Sequence, residues 1–161
     1  DKYPESVKAL HDAGHEVMNH SNTHAHYPQL TADEVIADLN TCNDKIEAVT
    51  GVRPTLVRMP YGDYDDKSVQ AARSIGMEPI QWDVDSLDWK EIPADEITQR
   101  VTSKVGPGSI VLFHNAALHT PEALPSILEQ LTQEGYTFVP ISQLILTGNY
   151  SIDHTGRQCP C

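Results

Sequence analysis

Apolar positions along the chain fall into two spacings, and their alternation predicts the elements. Val35, Ile36, Leu39, Ile46 and Val49 recur at helical spacing behind Thr31, and Gly51 stops the run. Thr31 is a good N-cap, with Glu34 three positions on to complete a capping box. Helices are also predicted up to Gly14, over 66–75 before Gly76, over 93–105 before Gly106-Pro107-Gly108, over 121–134 before Gly135, and near 142–146. Short apolar runs at 15–20, 56–58, 77–84, 110–113 and 136–139 read as strands. The order β-α-β-α-β-α-β-α-β, with strands apolar enough to be covered on both faces, predicts an α/β fold with a parallel sheet. No repeat and no linker divides the chain, so residues 1–150 read as one domain and 151–161 as a polar tail.

Composition narrows the function classes. At 161 residues there is room for one domain. Lys and Arg number 11 against 23 Asp and Glu, a net charge of −12 with His neutral. Such a surface repels nucleic-acid phosphates and anionic lipid, which argues against nucleic-acid binding. No apolar run approaches the roughly 18 residues of a membrane helix. The start, Asp1-Lys2-Tyr3-Pro4-Glu5, reads as a processed or trimmed product. Cys42, Cys159 and Cys161 form no Cys-x-x-Cys knuckle, and a disulfide from Cys42 to the tail is left open. Eight His in so acidic a chain call for a chemical explanation.

The reactive residues fall just after predicted strands. In parallel α/β folds those loops open on one face. His20 and His24 stand four apart with small polar residues between, a spacing that lets two neutral imidazoles reach one divalent metal. His11 and His15 repeat the spacing across the Gly14 helix stop and read as structural or solvent-facing, and His26 reads as loop. Arg58-Met59-Pro60-Tyr61-Gly62 puts a permanent cation on a turn that can aim main-chain N–H groups at a developing oxyanion. Asp85-Ser86-Leu87-Asp88-Trp89 offers two carboxylates and an indole beyond a strand that already carries Trp82. Aromatic faces beside carboxylates suit a sugar ring, and core packing is the alternative for both tryptophans. His114 ends the apolar strand at Phe113. Paired with a carboxylate such as Asp88, it becomes a general acid near neutral pH.

With these motifs in this order, the chain resembles the NodB-homology polysaccharide deacetylases, carbohydrate esterase family 4. His20-Ser21-Asn22-Thr23-His24 is similar to that family's His-(Ser/Thr)-x-x-His, and Arg58-Met59-Pro60-Tyr61 to its Arg-x-Pro-Tyr. Asp85-Ser86-Leu87-Asp88-Trp89 resembles Asp-x-x-Asp-Trp, and Leu112-Phe113-His114 resembles Leu-x-His. The family's first motif, Thr-Phe-Asp-Asp, occurs nowhere in the 161 residues. The resemblance therefore implies a distorted (β/α) barrel that is incomplete at its N-terminus, its missing segment acting as a partner in the same domain.

The resemblance also implies a chemistry: metal-assisted hydrolysis of N-acetyl groups on an N-acetylglucosamine polymer. His20 and His24 would hold a divalent ion, zinc foremost with cobalt or nickel as alternates, and a family aspartate would complete the ligands. His114 would protonate the leaving amine, held by Asp88, and Arg58 would orient the aspartate base that this chain lacks. The Tyr61 main chain, on the turn set by Pro60, would face the oxyanion. Leu112 and Trp82 would wall the acetyl pocket, and Trp89 would stack on the sugar. Peptidoglycan ranks first as substrate, chitooligosaccharide second and acetyl-xylan third, although a charge of −12 weighs against clinging to anionic wall polymers. Extracellular or cell-surface location follows from the family. The chain alone is expected to be inactive. The alternatives are a non-catalytic glycan-binding domain that has lost the metal aspartate and a zinc-binding structural module.

Overall fold

The computed structural model describes residues 2–161, in two compact units, the first ending at Gln81 and the second spanning Trp82–Cys161.

In the first unit, helix α1 is Pro4–Asp12 and helix α2 is Ala32–Thr50. The capping box of α2 forms as the sequence predicts: Glu34 N donates to Thr31 Oγ1 at 3.3 Å, and Thr31 N donates to Glu34 Oε2 at 2.8 Å. Gly51 closes the helix at φ 75°, a left-handed conformation that glycine adopts without a Cβ clash. Strand β1 is Leu56–Val57, helix α3 is Asp66–Ser74 and strand β2 is Glu78–Pro79, with β1 and β2 parallel. Val35 and Leu39 of α2 are fully buried against Tyr27, Val57, Ala72 and Met77. Each such aliphatic side chain removed from water contributes roughly 1.5–3 kcal/mol. The run at 15–20 does not form the expected strand. Its one ladder contact is a parallel bridge from Asn19 to Val57, because the backbone turns left-handed at Ser21 and leaves the sheet.

In the second unit, strand β3 is Val84–Asp85, helix α4 Ala94–Thr102, strand β4 Val111–Leu112, helix α5 Thr120–Gln133 and helix α6 Ile141–Leu144. Strands β3 and β4 are parallel, with Val84 opposite Val111 and Asp85 opposite Leu112. Val84, Ile97, Val101, Ala123, Ile127 and Leu131 form the core. The apolar run 77–84, expected as one strand, is split into β2 and β3, each paired with a different neighbour. The run 136–139 forms no ladder among the described residues, and Phe138 and Val139 are exposed. Apolar character alone does not make a strand; a ladder also needs a partner edge.

The final residues form a hairpin of strands β5 (Tyr150–Ile152) and β6 (Gln158–Pro160). Its Asp153 carboxylate accepts from Thr155 Oγ1 at 2.6 Å and Thr155 N at 2.8 Å, bonds that hold its pKa down at about 2. Arg157 ties the hairpin to the unit, reaching Asp83 Oδ2 at 2.7 Å and Pro107 O at 2.6 Å. Cys42, Cys159 and Cys161 are free thiols. Among the described residues no helix is long and apolar enough to cross a membrane.

Candidate active site

The two histidines of the first motif meet. Their Nε2 atoms lie 3.2 Å apart, with ring centroids 5.0 Å apart and planes crossed at 77°. The Nδ1 of His20 lies 2.7 Å from the main-chain oxygen of Arg58. A carbonyl can only accept, so Nδ1 carries the proton and Nε2 of the neutral ring presents a lone pair. The Nε2 of His24 then either donates to that lone pair or joins it in facing a cation. Two nitrogens bound to one tetrahedral zinc at roughly 2.0–2.1 Å stand about 3.3 Å apart, so the pair fits as two ligands of such an ion. Orientation of one ring nitrogen by a carbonyl is also the usual support for a metal-binding histidine. Among the described residues, no group of three or more His, Cys, Asp or Glu is placed to hold a metal.

The second motif reaches this pair through its backbone and its tyrosine. Met59 and Pro60 are buried and anchor the turn Pro60–Gly62, in which Tyr61 takes φ 61°. Gly62 N donates to Met59 O and Asp63 N to Pro60 O, so these two amides of the turn are already used. The Tyr61 ring stands edge-on to His24 at 4.6 Å and lies flat on His26 at 3.9 Å with 8° between planes. His26 in turn contacts Asp63 Oδ2 at 2.9 Å. His26, expected as loop, is joined with Asp63 to the Tyr61 turn. Burial of the Arg58 side chain lowers its pKa, and a guanidinium remains a cation at neutral pH all the same.

In the second unit, the expected candidates stand just beyond β3 and β4. Asp88 is fully buried, at the start of the short 3₁₀ turn Asp88–Lys90. Its Oδ1 meets His114 Nδ1 at 2.8 Å, and its Oδ2 accepts from His114 N at 2.9 Å and Thr120 Oγ1 at 2.7 Å. Burial pushes the Asp88 pKa up, but the bonds from the His114 amide, Thr120, the His114 ring and Ser86 outweigh it and leave the carboxyl below its usual range. The aspartate is thus an anion that claims Nδ1–H and directs Nε2 of His114 outward from a side chain 39% exposed. Thr120 is a third member that no sequence motif announced.

The remaining candidates are placed singly. Leu112 is buried on β4 opposite Asp85, Trp82 is half-buried, and Trp89 is 54% exposed with Lys90 Nζ 5.2 Å from its ring centre. Asp85 Oδ1 accepts from Leu87 N at 2.9 Å, so this carboxylate shapes the loop.

Backbone strain marks the same loops. Among the described residues, the non-glycine positions with positive φ are Ser21, His24, Tyr61, Leu87, Glu91 and Ala116. Each lies within a motif or two residues beyond one. Left-handed backbone costs on the order of 1–3 kcal/mol per residue and persists where surrounding contacts over-determine it, as they do at functional sites.

Comparison with known proteins bears on the family. The family model for polysaccharide deacetylases matches residues 1–80. A solved family 4 carbohydrate esterase from Streptomyces lividans, in complex with acetate, is 31% identical and superposes with a TM-score of 0.80, covering 99% of this chain and 77% of that one. This chain belongs to the polysaccharide deacetylase family. Peptidoglycan-N-acetylmuramic acid deacetylase PdaC of Bacillus subtilis is 37% identical over 142 residues, 88% of this deacetylase-family chain. The match spans only 30% of PdaC's length. A family 4 carbohydrate esterase pseudoenzyme from Bacillus anthracis is 36% identical with a TM-score of 0.85, over 89% of this chain and 50% of that one.

Proposed function

We propose that this chain carries the metal-binding and proton-donating parts of a polysaccharide N-deacetylase, acting on an N-acetylglucosamine polymer with peptidoglycan as the first candidate. The observation that carries the proposal is the His20–His24 pair, two Nε2 atoms 3.2 Å apart with His20 fixed by a carbonyl on its other nitrogen. His20 and His24 would hold a divalent ion, zinc foremost, which when bound supplies Lewis acidity and an acidified water.

The other roles belong to the chain itself. The main-chain N–H of Tyr61, on its left-handed turn, is the donor for the oxyanion that develops as the amide carbon is attacked. His114, with Nδ1 committed to Asp88, delivers a proton from Nε2 to the departing amine. Asp88 holds the ring's tautomer and balances its positive charge, and Thr120 fixes the carboxylate from behind. Arg58 orients the aspartate base of the Thr-Phe-Asp-Asp motif, which the 161 residues do not contain. Leu112 and Trp82 wall the acetyl pocket, and exposed Trp89 offers its face to the sugar. The strand pairs β1–β2 and β3–β4, each parallel, support a NodB-type distorted barrel as the parent fold. An extracellular or cell-surface setting and a chitooligosaccharide or acetyl-xylan alternative belong to the same proposal.

A second reading, a non-catalytic glycan-binding member, is favoured by the pseudoenzyme relative. Acetate release from N-acetylated glycans separates the two. We expect none from these 161 residues alone, and turnover when an N-terminal segment bearing Thr-Phe-Asp-Asp is joined to them. Turnover by the chain alone would overturn the assignment of the base. No turnover by the extended protein would favour the binding reading.

A further inference from the structure

Asp38 lies on α2, outside every motif, and only 8% of its surface is exposed. Both of its oxygens face the histidine loop. Oδ2 accepts from Asn22 N at 2.9 Å and from Tyr27 Oη at 2.8 Å, and Oδ1 accepts from Thr23 Oγ1 at 2.6 Å. Asn22 and Thr23 are the residues between Ser21 at φ 70° and His24 at φ 56°. The loop therefore holds two left-handed residues on either side of the segment that Asp38 grips. Asn19 holds the loop's start: its Oδ1 accepts from Ser21 N at 2.7 Å, and its Nδ2 donates to Asn43 Oδ1 at 2.7 Å and to Leu39 O at 3.0 Å. Ser21 Oγ then accepts from His24 N at 2.6 Å. The amides of Ser21, Asn22 and His24 thus all end on side-chain oxygens. Of those, Asp38 is the one contributed by a core helix, next to the fully buried Leu39.

We propose that Asp38 is a positioning residue for the His20–His24 pair, setting through its grip on residues 22 and 23 the convergence of the two Nε2 atoms and with it the affinity of the pair for a divalent cation. This rests on the reading of His20 and His24 as metal ligands. Released from Asp38, the Asn22–Thr23 segment loses the contacts that offset left-handed backbone on both sides, and His24 swings with it. Tyr27 separates positioning from mere stability. It is fully buried, and burial together with the Asp38 bond raises its pKa, so its hydroxyl remains a donor to the carboxylate. Removing that hydroxyl takes one bond from Asp38 and one from the Ser21 side chain, whose oxygen still accepts from His24 N, and leaves the grip of Asp38 on Asn22 and Thr23 intact.

The test is zinc affinity of the folded chain by chelator competition, counting only the binding that His20→Ala removes, with thermal stability measured alongside. Asp38→Ala should weaken zinc binding 10- to 100-fold, the usual effect of losing a group that supports metal ligands. Asp38→Asn, which keeps one carbonyl oxygen, should recover part of the loss. Tyr27→Phe should bind zinc like the parent even where its stability falls. Parental affinity in Asp38→Ala would overturn the proposal, as would a loss in Tyr27→Phe equal to that in Asp38→Ala. If Asp38→Ala does not fold, parental affinity in folded Asp38→Asn overturns it equally. Zinc binding that is the same in the parent and in His20→Ala would strike down the ligand reading itself, and the role of Asp38 with it.

Discussion

Replacing Asp88 by Asn tests the Asp88–His114 pair through stability alone. The carboxylate is fully buried and receives hydrogen bonds from His114 N, Thr120 Oγ1 and His114 Nδ1. An asparagine of the same shape has one oxygen and one amide nitrogen. Turned one way, the nitrogen meets the His114 N–H, a donor it cannot satisfy; turned the other, it faces Nδ1 and forces the ring into the opposite tautomer. Either way the bonds to a charged carboxylate are lost. A hydrogen bond to a charged group is worth about 1.5–3 kcal/mol, and a buried donor left unmet costs about 1–3 kcal/mol. Asp88→Asn should therefore destabilise by about 2–4 kcal/mol at pH 7. The pH dependence has a definite sign. The folded-state pKa lies below the ordinary value, so the carboxylate's contribution is complete above the unfolded pKa of about 3.9 and is lost as pH falls through the folded one. The gap between parent and variant should thus be widest near neutral pH and narrow as pH drops below about 4. Urea unfolding followed by tryptophan fluorescence, repeated from pH 7 downward, measures both. A variant as stable as the parent at pH 7, or a gap that does not change with pH, would refute the reasoning.

His114→Ala in the extended, active protein should lower kcat by about 10²–10⁴ while zinc content stays the same, and a near-parental rate removes His114 as general acid. His20→Ala should abolish zinc retention by the folded chain, as read by metal analysis after dialysis, and unchanged zinc content rejects His20 as a ligand. Thr31→Ala removes the N-cap of α2 and should cost about 1 kcal/mol in denaturant unfolding without altering zinc affinity. A neutral result would mean that the capping box does not help hold the helix.

Local chemistry was legible in the sequence wherever the partners lie within about one helical turn of each other. The Thr31–Glu34 box, the Gly51 stop and the 3.6-residue apolar stripe of α2 all depend on contacts within four residues, and all form. The four motifs were legible too, since residue type and spacing are properties of the chain. The run 136–139 shows where that legibility ends: it is apolar enough for a strand, but strand formation depends on an edge supplied elsewhere. The same limit hid the supports of the site. Thr120 meets Asp88 across 32 positions, Asp63 meets His26 across 37, and Asp38 meets Thr23 from what the sequence presents as an ordinary helical acidic residue.

What the sequence determined by itself is therefore which side chains the protein has for its chemistry and which helices carry its core. Tertiary structure decided what those side chains touch. The register that sets Asp85 opposite Leu112 brings Asp88 within reach of His114, and the left-handed turns at Ser21 and His24 bring two imidazole nitrogens to 3.2 Å. Hydrogen bonds and steric preferences along the backbone act over a few residues. The meeting of distant donors and acceptors is set by how sheets and helices pack, a choice made by the burial of the whole core.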